Sequence, residues 1–313
     1  MLFKKAGLPL ASSRCDDKAR ELHPTHQRRN PQAVEIPAGA PDSAPNRPLR
    51  YFNSLTSIRP ISPTNLDDEM FSALKKRLHK EVFITTWLSI VINPVYIIGN
   101  GIYRSISMIA PAVAGDVLDF GCGSQPYESL FENARSYVGV DIKVSGHNHA
   151  DSKVDYFYDG RKLPFSDDCF DAVVSFEVFE HVFNLEEVLC EIRRVLKPNG
   201  HLLISIPFAW DEHEIPYDFA RYTSFGITHL LTKNGFEVTR LIKTTTYVLA
   251  VFQMWIAYLF QHVLPKGRFL RRISQLLIIF PLNVTALVLN ALLPKRYEYP
   301  CNHVVLARKT EAA

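Results

Sequence analysis

A glycine-rich turn after a short apolar run constrains this 313-residue chain more than any other feature. Residues 117–120 have the character of a buried strand, Asp119 lies within it, and Gly121-Cys122-Gly123 follows directly. Glycine has no Cβ to obstruct a tight turn or a ligand that approaches the backbone. A second apolar run ends in Asp141. In a doubly wound α/β fold such an acid accepts hydrogen bonds from ribose hydroxyls, so the pattern predicts a nucleoside-type cofactor site.

Two details separate a dinucleotide from S-adenosylmethionine at this turn. A dinucleotide turn needs a third glycine beside the pyrophosphate, and Pro126 stands there. Asp119 would repel a pyrophosphate, whereas it suits the sulfonium and ammonium groups of S-adenosylmethionine. The residues therefore favour S-adenosylmethionine, and a glycine turn without any ligand is the alternative.

Strands and helices alternate after this turn. Residues 169–176 predict a buried strand, and 185–196 have apolar residues at helical spacing behind a capping box of Asn184 and Glu187. The run 197–200 should end that helix, and a strand should begin at His201. This alternation predicts a mostly parallel sheet covered on both faces.

These pieces resemble the class I S-adenosylmethionine-dependent methyltransferases of the type 11 family, which includes enzymes of the ubiquinone pathway. The matching stretches are 118–123, 139–141, 163–165, 170–171, 180–182 and 194–200. The resemblance covers about residues 110–245. It implies a Rossmann-like α/β fold with a seven-stranded, mostly parallel sheet and an antiparallel last strand. Residues 236–242 and 303–307 would form the final pair, with an apolar helical insertion between them.

The resemblance also implies which residues hold the cofactor. Asp119, Gly121 and Gly123 would approach the methionine part, Asp141 the ribose, and Asp159 with Gly160 the adenine. The full set of expected cofactor residues is Asp119, Gly121, Cys122, Gly123, Asp141, Asp159, Gly160 and Phe176. Gln125 stands where the family has its third glycine, which leaves that one contact open.

Residues 207–223 follow the predicted fifth strand, where loops form the ligand crevice of such sheets. Aromatic rings with a few directed polar groups suit a sugar or another hydroxylated acceptor. The stretches 123–127 and 213–223 together resemble methyltransferases of bacterial surface-polysaccharide and lipid-linked glycan clusters. The expected acceptor-binding residues are Tyr217, Asp218, Arg221 and Tyr222. A structural clasp made of Asp218, Arg221 and Tyr222 is the alternative.

Methyl transfer to a hydroxyl requires a group that accepts the hydroxyl proton. His213 is our first candidate and His181 the second, because a neutral imidazole takes up a proton near physiological pH. Glu214 could orient the imidazole. His181 could instead shape the adenosine pocket or cap the next helix. We expect no metal site, since His147 and nearby polar residues are typical of a surface loop.

Two long apolar segments, 246–264 and 273–293, flank a run of cations that includes Lys266 and Arg271. A hairpin that spans a membrane would carry those cations to the far side, so a hairpin lying in the interface is the better prediction. The alternative is a helical cap packed on the protein or on a second copy. The net charge of +3 is spread along the chain and gives no reason to expect a nucleic acid partner.

The chain divides into five parts by composition. Residues 1–69 predict a disordered or dispensable leader, with Met70 as the functional start, and 70–113 a helical approach segment. We expect the approach to cover one edge of the sheet, with breaks at Asn93-Pro94 and Asn100-Gly101. Residues 114–245 would be the catalytic domain, 246–298 the apolar helical hairpin, and 299–313 the last strand and tail.

The first functional hypothesis is transfer of a methyl group from S-adenosylmethionine to a hydroxylated glycan or lipid-linked acceptor near a membrane. Two alternatives stay open: methylation of a membrane-soluble, quinone-like ring, and a catalytically silent adaptor. Leu2 to Leu10 is too short and too broken for a secretory signal, and five scattered cysteines favour a reducing compartment. We therefore expect a cytoplasmic protein with peripheral or monotopic contact at the inner face of the cytoplasmic membrane.

Overall fold

The computed structural model of the chain describes residues 83–143 and 152–311. Within them, seven strands form one sheet in the order β3-β2-β1-β4-β5-β7-β6. The strands are β1 Gly115–Phe120, β2 Ala134–Ile142, β3 Tyr156–Tyr158, β4 Phe170–Phe176, β5 Leu196–Pro207, β6 Phe236–Lys243 and β7 Asn302–Lys309. The leader 1–69, Met70 and the loop around His147 lie outside the described residues.

The sheet is parallel except for β7, which pairs antiparallel with both β5 and β6. The predicted Rossmann-like α/β sheet with an antiparallel last strand is confirmed. Residues 244–301 separate the last two strands of the chain, although those strands are direct neighbours in the sheet. The predicted insertion therefore lies between adjacent strands and extends from one end of the sheet.

The helices cover the sheet and build the insertion. They are α1 Ser89–Ile92, α2 Tyr96–Ile109, α3 Leu185–Val195, α4 Ser224–Lys233, α5 Tyr247–Tyr258, α6 Arg268–Ser274 and α7 Phe280–Leu292. Wider π-type turns, Leu259–Val263 and Gln275–Ile279, extend α5 and connect α6 to α7. A short 3₁₀ helix, Phe179–His181, follows β4.

Two apolar layers lie on opposite faces of the sheet. Helices α3 and α4 pack on one face, with Leu189 and Ile227 fully buried. Helix α2 packs on the other, where Ile106 meets Val174 and Leu203. The approach segment thus covers a face of the sheet, and the expectation that it covers an edge was wrong. An amphipathic helix buries more apolar area on a face than against an edge.

One of the two predicted breaks in the approach is present. The chain turns at Asn93-Pro94 between α1 and α2, but α2 continues through Asn100 and Gly101. A Cβ on Gly101 would lie 2.8 Å from the carbonyl oxygen of Thr244. Glycine there serves close packing of the helix against the end of β6 rather than a turn.

Two local predictions differ from the structure. The side chain of Asn184 does not cap α3; its amide donates to the Glu187 carboxylate at 2.7 Å. The strand predicted from His201 begins earlier, because Leu196 already pairs with Phe170 before an irregularity in the register. Helix and strand therefore join without a separate loop.

The insertion packs its polar residues inward. Gln253 and Asn283 are fully buried, and Gln253 accepts a hydrogen bond from Ile98 N–H at 3.1 Å while donating to Pro94 C=O at 2.9 Å. Asn283 donates to Ile90 C=O at 2.9 Å. These two polar side chains therefore attach the hairpin to the broken end of the approach segment.

Apolar side chains cover the outer surface of residues 247–292, which we call the apolar hairpin. Trp255 is 52% exposed and Leu277 67% exposed. The continuous helical stretch Phe269–Leu292 is long and apolar enough to cross a membrane, and 17% of its most apolar window is buried in the protein. The first arm, Tyr247–Val263, is shorter. The surface of the hairpin is therefore more apolar than the exterior of an ordinary globular protein.

Candidate functional site

The glycine turn follows β1 and lies beside the carboxyl end of β2. Gly121 has φ +71°, and a Cβ there would lie 2.5 Å from Val178. Gly123 has φ +47°, and a Cβ there would meet nothing within 4 Å. The amide of Gly123 donates to Asp141 Oδ2 at 3.1 Å. The turn thus leaves open space beside its second glycine and brings Asp141 next to it.

Gln125 accounts for the departure from the family's third glycine. It adopts φ +53°, the left-handed conformation that glycine reaches without strain. Its N–H donates to Cys122 C=O at 2.8 Å, which closes the turn. The left-handed backbone conformation of the turn is therefore kept without the glycine, at a cost in local strain.

Asp119 is a buried carboxyl group at the end of β1. Its Oδ2 accepts a hydrogen bond from the Tyr137 hydroxyl at 2.9 Å. Burial raises the pKa of Asp119 to about 7, against the opposing effect of that hydrogen bond. A cationic group beside it would stabilise the ionised form. The residue therefore suits an ammonium or a sulfonium.

The other expected cofactor residues lie along the same edge. The Cys122 thiol is buried, and burial raises its pKa. Asp159 follows β3, where its Oδ1 accepts from Arg161 N–H at 2.9 Å, and such backbone hydrogen bonds lower the pKa of Asp159. Gly160 has φ +82°. Phe176 packs on Phe131 in the core beneath the site.

S-adenosylmethionine fits the residues present at this edge. The open space at Gly123 allows a ligand to approach the backbone. Asp119 supplies a buried anion, and Asp141 supplies a carboxylate at the end of the neighbouring strand. The donor set thus combines an anionic group for the methionine end with an acceptor for ribose hydroxyls.

Glu177 was not identified from the sequence. It follows β4 with φ +54°, and its carboxylate accepts from the Ser205 hydroxyl at 2.6 Å and from Asn302 Nδ2 at 2.7 Å. Burial raises the pKa of Glu177 to about 7. An acid directly after a parallel strand was the available signal. Its partners on β5 and β7 are distant in sequence and appear only in the fold.

Glu180 and His181 lie one turn further on, in the 3₁₀ helix. Glu180 is fully buried, and burial raises the pKa of its carboxyl group well above the ordinary range. His181 Nδ1 lies 2.7 Å from Tyr217 C=O, so it donates there. His181 Nε2 then faces Glu180 Oε1 at 3.8 Å and Glu214 Oε1 at 3.9 Å.

The loop of residues 208–223, which we call the acceptor loop, contributes His213. Its ring lies 4.8 Å from the His181 ring, edge to face. His213 Nδ1 is 3.3 Å from Asp218 Oδ2 and 3.1 Å from Asp211 C=O. The structure thus brings both predicted base candidates together. Asp218 places a carboxylate beside His213 Nδ1, whereas Glu214 lies beside His181.

Arg221 and Asp218 form a paired unit inside the acceptor loop. Arg221 donates to both oxygens of Asp218, at 2.5 and 2.7 Å, and to Asp211 C=O at 2.9 Å. This pairing lowers the pKa of Asp218 to about 2. The contacts are those of the structural clasp. A role for either residue in acceptor binding stays a prediction.

The remaining acceptor candidates lie around this clasp. Tyr217 has an exposed ring, and its carbonyl orients His181. Tyr222 is half-buried against the core beneath the loop. Phe219 N–H donates to Glu180 C=O at 2.8 Å, which attaches the loop to the segment after β4. Gln261 of the apolar hairpin reaches Asp211 at 3.3 Å.

One protein family matches the part of the chain that forms this edge of the sheet. Residues 118–204 match the model of a family described as a methyltransferase domain. That stretch contains the glycine turn, Asp141 and the histidine after β4. The match confirms the identification of this region as a methyltransferase domain, made from the sequence motifs.

Three relatives illustrate the range of similarity. A probable S-adenosylmethionine-dependent methyltransferase of Mycolicibacterium smegmatis is 31% identical over 137 residues, 42% of this chain and 51% of that protein. A mitochondrial ubiquinone biosynthesis O-methyltransferase of Rattus norvegicus is 36% identical over 102 residues, 28% of this chain and 30% of that protein. A fatty-acid O-methyltransferase of M. smegmatis is 30% identical over 44% of this chain and 54% of that protein. The chain thus spans at most about half the length of these relatives.

Proposed function

We propose that this chain, whose residues 118–204 form a methyltransferase domain, transfers a methyl group from S-adenosylmethionine to a hydroxylated acceptor. The observation that carries the proposal is the geometry of the glycine turn. Gly123 N–H donates to the Asp141 carboxylate, and the space beside Gly123 is open. S-adenosylmethionine, when bound, supplies an electrophilic methyl group. Asp119 and Asp141 would bind its charged and hydroxylated ends.

The acceptor hydroxyl loses its proton as it attacks, and the two histidines are the groups that could take it. Asp218 and Asp211 face Nδ1 of His213, which favours a proton on that nitrogen and leaves Nε2 as the basic atom. A positioned base contributes on the order of 100- to 10,000-fold. We propose His213 as the base, with Asp218 as its positioning residue and His181 as the second candidate.

The surroundings of the site support one class of acceptor. The acceptor loop carries Tyr217 and Phe219 with exposed rings, and aromatic rings of this kind stack on sugars. The same loop contacts the apolar hairpin through Gln261. An acceptor with a glycan part and a lipid part could use both surfaces at once. We therefore propose a lipid-linked glycan or a related hydroxylated lipid at the cytoplasmic face of a membrane.

A quinone-like ring is the second candidate acceptor. The relative from R. norvegicus is named as a ubiquinone biosynthesis O-methyltransferase, and such a ring is also lipid-soluble. Methyl transfer from radiolabelled S-adenosylmethionine into total membrane lipid extract separates the two. Label in a fraction sensitive to glycan hydrolysis supports the first acceptor, and label in an acid-stable aromatic lipid supports the second.

The cofactor is tested first, by calorimetric binding of S-adenosylhomocysteine to the full chain. We expect micromolar binding, no binding of NAD, and a loss of roughly 10- to 150-fold in Asp141→Ala, the worth of a hydrogen bond to a charged group. A folded protein that does not bind S-adenosylhomocysteine would contradict the proposal and leave the silent adaptor ahead. Unchanged affinity in Asp141→Ala would remove the ribose assignment alone.

Membrane contact has its own test, since it concerns the hairpin rather than the cofactor site. The full chain should sediment with phosphatidylcholine vesicles that contain phosphatidylserine. The double variant Trp255→Ser, Leu277→Ser should sediment less, because both side chains are exposed apolar groups that a bilayer would cover. Phe225→Ser, another exposed apolar residue but on α4, is the matched control and should not differ. Equal sedimentation of all three proteins would favour the alternative, a helical cap that packs on the protein or on a second copy.

A further inference from the structure

Three potential metal ligands meet where the acceptor loop lies over the 3₁₀ helix. Glu180, His181 and His213 each offer one ligand atom, and these atoms all lie within 4.8 Å of one another. Ligand atoms around a tetrahedral Zn²⁺ stand roughly 3.4 Å apart. Carboxylate and imidazole together suit a divalent transition metal.

Glu180 gives independent evidence that something is bound at this point. It is fully buried, and within residues 83–143 and 152–311 neither of its carboxylate oxygens has a hydrogen-bond partner. A buried carboxylate without partners is costly, so such groups are normally paired or bind a metal. The neighbouring Glu177 shows the usual arrangement, with one partner for each oxygen. Glu180 thus has the acceptor capacity that a cation would use.

His181 is oriented as metal-binding histidines are. Its Nδ1 donates to Tyr217 C=O at 2.7 Å, which leaves the lone pair on Nε2. Within the described part of the chain, Nε2 is buried and has no hydrogen-bond partner. It lies 3.8 Å from Glu180 Oε1, too far for a hydrogen bond. The pair is therefore close without being bonded, with room for an ion between the two atoms.

His213 brings the acceptor loop into the cluster. Asp218 Oδ2, 3.3 Å from Nδ1, is the carboxylate that often accepts from the distal nitrogen of a metal-bound histidine. Glu214 Oε1, 3.9 Å from His181 Nε2, is a further carboxylate at the same place. The cluster thus has ligands on two segments that follow β4 and β5, at the carboxyl ends of neighbouring strands.

We propose that Glu180, His181 and His213 bind one divalent transition-metal ion of the Zn²⁺ class, with a coordination position open to the acceptor oxygen. This replaces the expectation of no metal site, and with the ion bound His213 is a ligand rather than the base. The role of the ion in methyl transfer rests on the proposed function. The ion would hold the acceptor loop closed through His213. It would acidify the acceptor hydroxyl, which then loses its proton to solvent while the O–CH₃ bond forms and the S–CH₃ bond breaks.

The test is calorimetric titration of Zn²⁺ into the full chain after treatment with EDTA. We expect one ion per chain. Glu180→Gln and His213→Ala should each weaken Zn²⁺ binding at least ~100-fold. Loss of a residue that only supports a metal ligand costs up to about 100-fold, so a larger loss indicates a ligand. The matched control is His229→Ala, an exposed histidine on α4, which should bind as the wild type does. If the wild type does not bind Zn²⁺, the proposal is overturned. It is also overturned if Glu180→Gln and His213→Ala bind Zn²⁺ as tightly as the wild type does, since the ion then lies elsewhere.

S-adenosylhomocysteine binding by the same samples separates this proposal from the function. Each variant that binds S-adenosylhomocysteine is folded, so a loss of Zn²⁺ binding there is local. Zn²⁺ binding that fails while S-adenosylhomocysteine still binds removes the metal site and leaves His213 as the base. The reverse result would contradict the proposed function and keep the metal site. Zn²⁺ should also raise the melting temperature of the wild type and not that of Glu180→Gln.

Discussion

The sheet domain keeps its large apolar side chains inside, whereas the apolar hairpin leaves many of them exposed, although it also buries Ile256 and Ile279. In the sheet, Leu203 and Val174 are fully buried. In the hairpin, Gln253 and Asn283 are fully buried while Leu277 and Trp255 are exposed. Burial of apolar area stabilises a domain in water, whereas hydrogen bonds and close packing hold helices together in lipid. The membrane contact proposed for the hairpin would account for this difference, and the predictions below test it.

The largest effect is expected from a matched pair of leucines. Leu203→Ala leaves a cavity between the sheet and α2 and should lower the free energy of unfolding by about 2–5 kcal/mol. Leu277→Ala removes the same atoms from the outer surface of the hairpin and should change it by less than about 0.5 kcal/mol. Denaturation by urea measures both. Similar losses in the two variants would mean that the hairpin surface is covered in solution.

A pH-dependent effect is expected where the sheet domain buries a carboxyl group. The folded pKa of Asp119 is about 7, above its ordinary value of 3.8, so the folded state holds the proton more tightly than the unfolded state. The stability that this group contributes is full below pH 3.8 and is lost as pH rises towards 7. Asp119→Asn should therefore gain about 2–4 kcal/mol relative to wild type between pH 4 and pH 7.5.

Asp116→Asn is the control for that measurement. Its hydrogen bond with Arg135 lowers the pKa of Asp116 to about 2, so its contribution is present above pH 3.8 and is lost as pH falls towards 2. The two variants should thus diverge from wild type in opposite pH ranges when apo protein is melted in a pH series. A flat difference for Asp119→Asn would show that its carboxyl is ionised in the folded protein.

The inward polar contacts of the hairpin should matter for its attachment. Gln253→Leu leaves Ile98 N–H, in the first turn of α2, and Pro94 C=O without their partner. The expected loss is about 1–3 kcal/mol, with faster proteolysis of the hairpin in detergent-free solution. Thr285→Val changes an exposed position of the same hairpin and should remain near wild type. Equal behaviour would mean that apolar contacts alone attach the hairpin.

The smallest effect concerns the cations at the tip of the hairpin. Arg272→Gln should weaken binding to vesicles that contain phosphatidylserine by about 1 kcal/mol, roughly fivefold, and leave binding to neutral vesicles unchanged. Arg308→Gln removes an exposed cation from the sheet domain, where Arg308 on β7 pairs with Glu237, and serves as control. If both variants lose affinity equally, the attraction is a property of the net charge rather than of the tip.

Much of the cofactor edge was predictable because its signals are local. Gly121 and Gly123 adopt left-handed backbone conformations, and Asp141 ends the neighbouring strand, as the motif requires. The left-handed conformation of Gln125 could not be read from its residue type, since tertiary contacts impose it. The role of Gly101 was also misjudged, because a glycine at a helix contact and a glycine at a turn look alike in sequence.

The sequence alone determined the cofactor edge and the presence of an apolar insertion, because turn chemistry and short-range periodicity specify them. Only the tertiary structure decided which side of the insertion faces outward, because Gln253 finds its partners more than 150 residues away. It also decided that His181 and His213 meet over a buried Glu180. Such a cluster depends on how two strand ends and one loop pack in space, and no spacing along the chain encodes that distance.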